Sequence, residues 1–351
     1  MLELNPIELP KKIIIEENLI DKIPSNIGQL GNFKSILLIS GKKTFDLVGK
    51  NVKKSLEDEG YRATIIKVDE CSESTVNFTI KKSKPIKPDL IFGIGGGKNI
   101  DVAKAVGFYL KKPWISIPTI PSHDGIVSDR AVISKGKKKY PLLTSPPLAV
   151  ISDLNILSEA PTRFFSAGCG DVISKTTSVL DWQLARDEKG EAYDNHAADL
   201  AYSSAEIIIN ISKNYKKDYK SSVKLLMKAL VNCGIAMIIA KSSRPCSGSE
   251  HMFWNAIDRL YPKNKALHGE KVALGTCIMS FLHGIDYKKI KNVLTDYNLP
   301  LNSRKIKIPS KILVEALSIS HKIRSDMRYT ILRDGICEED ARNILKKLDV
   351  I

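Results

Sequence analysis

The stretch PDLIFGIGGGKNIDVAKA, Pro88 to Ala105, decides how this chain folds. Its first half is a short apolar run with branched and aromatic residues, which predicts a strand over Pro88–Ile94. Three consecutive glycines follow, and KNIDVAKAVGFYL, from Lys98, then has the period of a helix. A strand, a glycine cluster and a helix start make a cradle for an anion. Bare N–H groups and the positive end of the helix dipole can hold a pyrophosphate there, and side chains would block its approach. A plain tight turn is the alternative, but three glycines in a row cost it more backbone entropy than it needs to spend. Ligand binding is the favoured reading. The run does not fit G-x-G-x-x-G, because Lys98 stands at the sixth position counted from Gly93, and no G-K-S/T follows as a Walker loop would require.

Working outward, the same alternation continues on both sides. KSILLIS (Lys34 to Ser40), RATIIKV (Arg62 to Val68) and PWISIPT (Pro113 to Thr119) read as strands. Helical patterns run up to Glu59 and over Ser74–Lys82. Strands alternating with helices at this spacing predict a doubly wound, mostly parallel sheet. RAVIS, YPLLT and LAVISD are expected to form an antiparallel appendage, with KGKKKY (Lys135 to Tyr140) at a hairpin tip. From about Pro161 strand patterns vanish. NHAADLAYSSAEIIINIS, SVKLLMKALVNCGIAMIIA, PSKILVEALSISHKIR and EEDARNILKKL all read as helices. The expected organisation is an α/β dinucleotide-binding domain over residues 1–160, followed by an all-helical metal- and substrate-binding domain over 161–351.

Bulk properties narrow the function. The chain has 351 residues, and 54 basic against 39 acidic side chains give 54 − 39 = +15. That balance suits an anionic partner, although on general grounds lysine-rich solvated helix faces are the commoner cause. No window interleaves dense Lys/Arg with aromatic residues, so nucleic acid is not the expected partner. The six cysteines are scattered without a C-x-x-C pair, which predicts reduced thiols in a cytoplasmic protein. MLELNPIELPKKIIIEENL lacks the cationic start and long apolar core of a signal peptide, and runs such as GIAMIIA are too short to span a bilayer.

Two further segments carry chemistry. PTIPSHDGIVSDRAV, Pro118 to Val132, begins where the fourth predicted strand ends, the place at which open α/β sheets bind ligands. It offers Thr119, Ser122, Asp124 and Ser128, while His123 reads as structural or solvent-facing. SRPCSGSEHMFWNAIDRLYPKNKALHGEKVALG, Ser243 to Gly275, holds two of six histidines, His251 and His268, each at a predicted helix start. Ser247 to Glu250 fits a capping box with Ser247 as the cap, and Asn255 falls on the face of His251. Neither histidine lies in HExxH, so a zincin-type protease is unsupported. Two imidazoles need a third ligand to make a catalytic metal site, and Asp171 in SAGCGDVISK is the best candidate. Gly168 and Gly170 beside it are poor helix residues, which implies that something approaches the backbone closely. Residue types alone leave two readings open, ligands or capping and core histidines.

Together GIGGGKNIDVAKA, PTIPSHDGIVSD, GCGDVISK, SRPCSGSEHMF and HGEKVALG resemble, in order and spacing, the sn-glycerol-1-phosphate dehydrogenases, archaeal-type relatives of glycerol dehydrogenase, iron-dependent alcohol dehydrogenases and 3-dehydroquinate synthase. The resemblance runs from roughly the first strand to His283. It implies a dehydroquinate synthase-like fold, and reduction of dihydroxyacetone phosphate by NADPH or NADH to the glycerophosphate of archaeal ether lipids. It further implies one Zn2+ per chain on Asp171, His251 and His268 as the catalytic set. The cofactor would lie over Gly95, Gly96, Gly97, Lys98 and Asn99, with Thr119, Ser122 and Ser128 nearby. Asp124 and Asp171 would face the substrate, and Asn255 stands where some relatives place a substrate-contacting histidine. A homo-oligomer without a membrane span is expected. Iron-dependent alcohol dehydrogenases carry Asp-x3-His, but Lys175 occupies the fourth position after Asp171 here; dehydroquinate synthases place Glu where Asp171 stands. Glycerol dehydrogenase activity and a dehydroquinate synthase-type lyase are the rival readings. For the substrate phosphate the expected clamp is Arg244 or Lys271, with Arg130 a weaker candidate. For a 2′-phosphate on the cofactor it is Lys42 or Lys43, since no carboxylate follows the first predicted strand until Asp46.

Overall fold

The computed structural model describes residues 7–136, 138–323 and 328–351. The chain divides into two compact units, Met1–Ala160 and Pro161–Ile351.

The first unit contains strands β1 (Lys12–Glu16), β2 (Ser35–Ser40), β3 (Arg62–Lys67), β4 (Leu90–Gly95), β5 (Trp114–Pro118), β6 (Arg130–Lys135), β7 (Lys138–Leu143) and β8 (Ala149–Asp153). Six of them form one sheet in the order β1-β8-β5-β4-β2-β3, and every pairing in it is parallel. Helices α1 (Lys50–Asp58), α2 (Glu73–Ser83) and α3 (Gly97–Leu110) lie in the crossovers. SILLIS in β2 and LIFGIG in β4 are buried at every position, the signature of a sheet covered on both faces. Ile36, Leu38, Phe92, Ile94, Ile115 and Ile117 share one core with Val52 and Leu56 of α1. This is the doubly wound sheet that the alternating pattern predicts.

Two details differ from the sequence reading. LAVISD is not part of an antiparallel appendage: β8 joins the main sheet between β5 and β1, parallel to both. Its residues are buried throughout, as a central parallel strand must be. KIIIE, which the sequence reading did not single out, is the edge strand β1. Among the described residues only β6 and β7 form an antiparallel ribbon, turning at Gly136 with φ +59°; Lys137 of the KGKKKY tip lies outside them.

The second unit is helical, with α4 (Thr162–Ile173), α5 (Lys175–Lys189), α6 (Asn195–Ile211), α7 (Tyr219–Ile239), α8 (Ser249–Leu260), α9 (His268–Leu282), α10 (Tyr287–Asp296), α11 (Ser310–Ile319) and α12 (Glu338–Lys347). Arg324, the last residue of the predicted PSKILVEALSISHKIR helix, lies outside the described residues. Phe253, Ile257, Leu274, Ile278, Leu313 and Leu345 belong to a core joining α8, α9, α11 and α12. α7 has 21 residues and a mean hydropathy of 1.7 over its most apolar window, enough by length and composition to cross a membrane. Continuous apolar runs understate it, because polar residues interrupt them. Of that window, 67% is buried inside the protein, where α7 packs along α6, so its apolar surface is already used as core.

Candidate active site

In the second unit, the geometry begins with two backbones that nearly touch. α4 carries Asp171 and α9 begins with His268. A Cβ on Gly269 would stand 1.8 Å from the Ala167 carbonyl oxygen, and one on Gly170 would stand 2.6 Å from the Gly269 oxygen. Only glycines allow helices this close, so the close approach inferred for Gly170 is real, and the approaching group is the start of α9. The crossing sets Asp171 beside His268, and α8 adds His251.

Asp171 is fully buried, with Oδ1 3.5 Å from His268 Nε2 and 3.8 Å from His251 Nε2. The three donor atoms lie within 4.8 Å of one another. A tetrahedral ion bound at about 2.0–2.2 Å spaces its donors roughly 3.3–3.6 Å apart, so the set could hold such a metal after a small inward movement of its side chains. Glu250 completes the arrangement. It is fully buried, accepts from Thr177 Oγ1 at 2.8 Å and from the Gly248 N–H at 2.6 Å, and lies 2.7 Å from His251 Nδ1. A carboxylate on Nδ1 fixes the tautomer that leaves Nε2 as the ligating nitrogen. The Trp254 ring meets His268 edge-on at 4.3 Å between centroids.

The charges agree with this use. Burial alone would raise the Asp171 carboxyl, but the Lys175 ammonium at 3.0 Å, with His268 and His251, holds it well below the usual carboxylate range. Burial lowers the His251 imidazole, outweighing the raising effect of Glu250, and keeps it neutral. A carboxylate and a neutral imidazole are the forms that bind a metal.

The cap at α8 differs from the sequence reading. Gly248, not Ser247, is the N-cap, and no side chain of its own caps the helix. Asp181 of α5 accepts instead from the Ser249 N–H at 2.6 Å, and Glu250 reaches back to Gly248. A buried helix start can borrow a carboxylate from a neighbour, which local sequence does not reveal. Asn255 is half-buried and donates to the His251 carbonyl oxygen at 2.8 Å. Arg244 and Lys271 are not available as expected for a phosphate. Arg244 is 2% exposed and is held by Glu191 and by the Tyr329 carbonyl oxygen; Lys271 pairs with Asp258 and Asn264. Each buried cation has found an anion within the fold, as desolvation demands.

In the first unit, the glycine loop and the Pro118–Val132 segment leave the carboxyl ends of adjacent strands β4 and β5. Gly95 has φ +138°, a conformation that favours glycine, and a Cβ there would fall 2.1 Å from the Asn99 amide nitrogen. Asn99 uses that amide to donate to the Ile94 carbonyl oxygen, so its side chain holds the turn. Gly96 and Gly97 open α3 with no side chain capping it, and Lys98 is exposed on its first turn. The Thr119 N–H donates to the Gly95 carbonyl oxygen at 3.2 Å. His123 is half-buried. Its Nδ1 accepts from the Gly125 N–H, and its ring stands where a Cβ on Gly97 would be. Ser122 is half-buried, and Asp124 opens a 3-10 turn over Asp124–Ile126. Ser128 is buried with its hydroxyl 3.3 Å from Lys104 Nζ. Asp181 and Lys104 were not found from sequence, and Glu250 was read only as a capping-box residue, not as the partner of His251.

The sequence profile for iron-containing alcohol dehydrogenases matches residues 14–161. Glycerol-1-phosphate dehydrogenase (NAD(P)+) of Sulfurisphaera tokodaii is 41% identical over 98% of both chains. Its counterpart from Methanococcoides burtonii is 40% identical over 98% of this chain and 96% of that one. Among solved structures, a probable glycerol dehydrogenase from Sinorhizobium meliloti aligns with a TM-score of 0.79 at 20% identity, covering 98% of each chain. Glycerol dehydrogenase from Schizosaccharomyces pombe aligns at 0.82 and 18% identity, covering 98% of this chain and 90% of that one. Those two likenesses speak for a shared dehydroquinate synthase-like fold. At about 40% identity along nearly the whole length, this chain belongs to the glycerol-1-phosphate dehydrogenase family of NAD(P)-dependent oxidoreductases.

Proposed function

We propose that the chain reduces dihydroxyacetone phosphate to sn-glycerol 1-phosphate with NADPH or NADH, at a zinc ion held by Asp171, His251 and His268. The observation that carries the reading is the buried donor set itself, one carboxylate and two imidazoles at metal-ligand spacing, with Glu250 orienting His251. When bound, zinc supplies a Lewis acid that polarises the ketone carbonyl and stabilises developing negative charge on its oxygen. Asp171 and the imidazoles supply three protein ligands, the number that leaves a position for substrate. Asp171 would also face the substrate, with Asn255, one turn after His251 on the same helix face, supplying a hydrogen-bonding amide that carries no charge. Gly95, Gly96, Gly97, Lys98 and Asn99 shape the cradle for the cofactor pyrophosphate, with Thr119, Ser122 and Ser128 beside it and Asp124 toward the substrate. Hydride transfer requires the nicotinamide C4 to meet the carbonyl carbon in a dry, oriented encounter.

The +15 charge is compatible with an anionic substrate. Six free cysteines, four of them buried, fit a cytoplasmic protein. The proposal includes a homo-oligomer, which light scattering measures directly. The test of function is NADPH oxidation with dihydroxyacetone phosphate, followed by chiral analysis of the product. The expected product is the sn-1 enantiomer, formed only after zinc is restored to chelator-treated protein. Strong activity on glycerol with none on dihydroxyacetone phosphate would replace this reading with that of a glycerol dehydrogenase, and full activity without metal would refute the zinc site.

A further inference from the structure

Lys104 is fully buried in the first unit, on the helix α3 that begins at the glycine loop. A lysine in that position is costly, because an ammonium loses its hydration and must recover it from protein oxygens. Its Nζ donates to the carbonyl oxygens of Gly125 and of Arg130, the latter at 2.8 Å. The Ser128 hydroxyl lies at 3.3 Å, and Asp101 Oδ1 at 3.3 Å balances the charge. Asp101 in turn accepts from the Val132 N–H through Oδ2. Asp129 is the other nearby carboxylate. Burial raises its carboxyl, and Arg130 and Lys104 oppose that shift. Three of the four oxygens around the ammonium therefore come from one short segment, Gly125 to Arg130, which links the 3-10 turn to the first residue of β6. Two of these are backbone carbonyls, and that of Arg130 also accepts from the Ser128 hydroxyl at 3.4 Å. A single cation gathers them onto the flank of α3.

We propose that Lys104 is the positioning residue of this enzyme's substrate and cofactor loop: its ammonium sets the path of Gly125–Arg130 and so presents Asp124 and Ser128 relative to the glycine loop at the head of α3. The consequence for catalysis rests on the reading of Asp124 as a substrate contact and Ser128 as a cofactor neighbour; the structural part does not. Lys104 is fully buried, so its effect reaches a ligand only through the loop. An apolar side chain of similar length would fill the same volume without gathering the oxygens.

The test is Lys104→Met, with Lys104→Gln as a second variant that keeps an N–H donor at nearly the same place. Hydrogen exchange is followed over residues 124–131 and, as a reference, over β2 and β4. NADPH affinity is measured by fluorescence, and kcat and KM with dihydroxyacetone phosphate. In Lys104→Met, exchange over 124–131 should rise at least tenfold with β2 and β4 unchanged. KM for dihydroxyacetone phosphate should rise at least tenfold, NADPH should bind more weakly, and Lys104→Gln should recover part of each. If Lys104→Met does not fold, Lys104→Gln is read by the same criteria. Wild-type exchange over the loop would overturn the proposal. So would exchange that rises equally in β2 and β4, since that marks a lysine needed only for global stability. Exchange and NADPH binding need no substrate. A wild-type protein inactive on dihydroxyacetone phosphate would therefore refute the functional reading and still leave the role of Lys104 tested.

Discussion

Gly269→Ala adds one methyl group at the crossing of α4 and α9, and it should dismantle the proposed metal site. The new Cβ would lie 1.8 Å from the Ala167 carbonyl oxygen, and ordinary contact begins near 3.4 Å, so the backbones must separate by 3.4 − 1.8 = 1.6 Å. The obstacle is backbone, which cannot swing aside as a side chain can. Ala167 is one helical turn before Asp171, and Gly269 adjoins His268, so the separation acts directly between two of the proposed ligands. Metal–ligand distances tolerate only about 0.2 Å. Side-chain rotation recovers part of the shift, and a loss of at least about 100-fold in zinc affinity is expected, about 2.8 kcal/mol. Overpacking should cost a further 1–3 kcal/mol or so of stability, roughly 2–12 °C in Tm for a unit of this size. The assay is competition for zinc against a calibrated chelator, run beside thermal melts. Gly190→Ala is the control. Gly190 has φ +65° with no atom within 4 Å of a built Cβ, so alanine there costs about 1–2 kcal/mol of strain without pushing anything. Zinc affinity within threefold of wild type in Gly269→Ala would refute the reasoning, as would an equal loss of affinity in Gly190→Ala.

His251→Ala and His268→Ala should each abolish zinc binding and turnover while circular dichroism shows the helices intact; a variant that keeps its metal removes that residue from the ligand set. The burial that lowers His251 gives a definite sign to the acid stability of the metal-free protein. Its neutral form contributes stability above the unfolded imidazole value of about 6.5, and that contribution is lost as pH falls through the lower folded value. The denaturant midpoint should therefore drop as pH falls below about 6.5, and His251→Gln should shrink the drop. Lys42 and Lys43 are exposed just past β2, and charge reversal of both should shift preference from NADPH toward NADH, as read from the two kcat/KM values. Arg244→Ala should lower kcat/KM equally for dihydroxyacetone phosphate and dihydroxyacetone and cost about 2 kcal/mol, because it strands Glu191 and the Tyr329 carbonyl; a loss confined to the phosphorylated substrate would restore Arg244 as a phosphate ligand.

What could be read from sequence was local. The apolar runs of β2 and β4 and the glycines at 95–97 announce their own conformations through steric rules that act within a few residues. Asp171, His251 and His268 could be nominated by residue type and by resemblance, and the structure brings them together. What failed was pairing over distance. LAVISD follows a hairpin, so proximity in sequence argued for the hairpin, whereas burial on both faces makes it a central strand. Arg244 and Lys271 sit beside the histidine motifs in sequence, yet their charges are neutralised by Glu191, 53 residues away, and by Asp258. Asp181 serves three separate segments, accepting from Ser249 and Ile331 N–H groups and lying 3.1 Å from His283 Nε2. No periodicity marks such a residue, because its partners exist only once the helices have packed.

The edge strand β1 bears on how the polypeptide is made. Lys12 pairs with Ala149, so 149 − 12 = 137 residues separate partners that lie side by side. At synthesis rates of about 5–20 residues per second, KIIIE waits roughly 7–27 s after leaving the ribosome before its neighbour exists. During that interval it is an unpaired branched-chain strand, a natural client for a chaperone or for a strand of another nascent chain. Closing so long a loop costs little more than closing a shorter one, since the entropy grows only with the logarithm of length. The burden of this topology therefore falls on time and on vulnerability during translation, with little left to show in the stability of the finished protein.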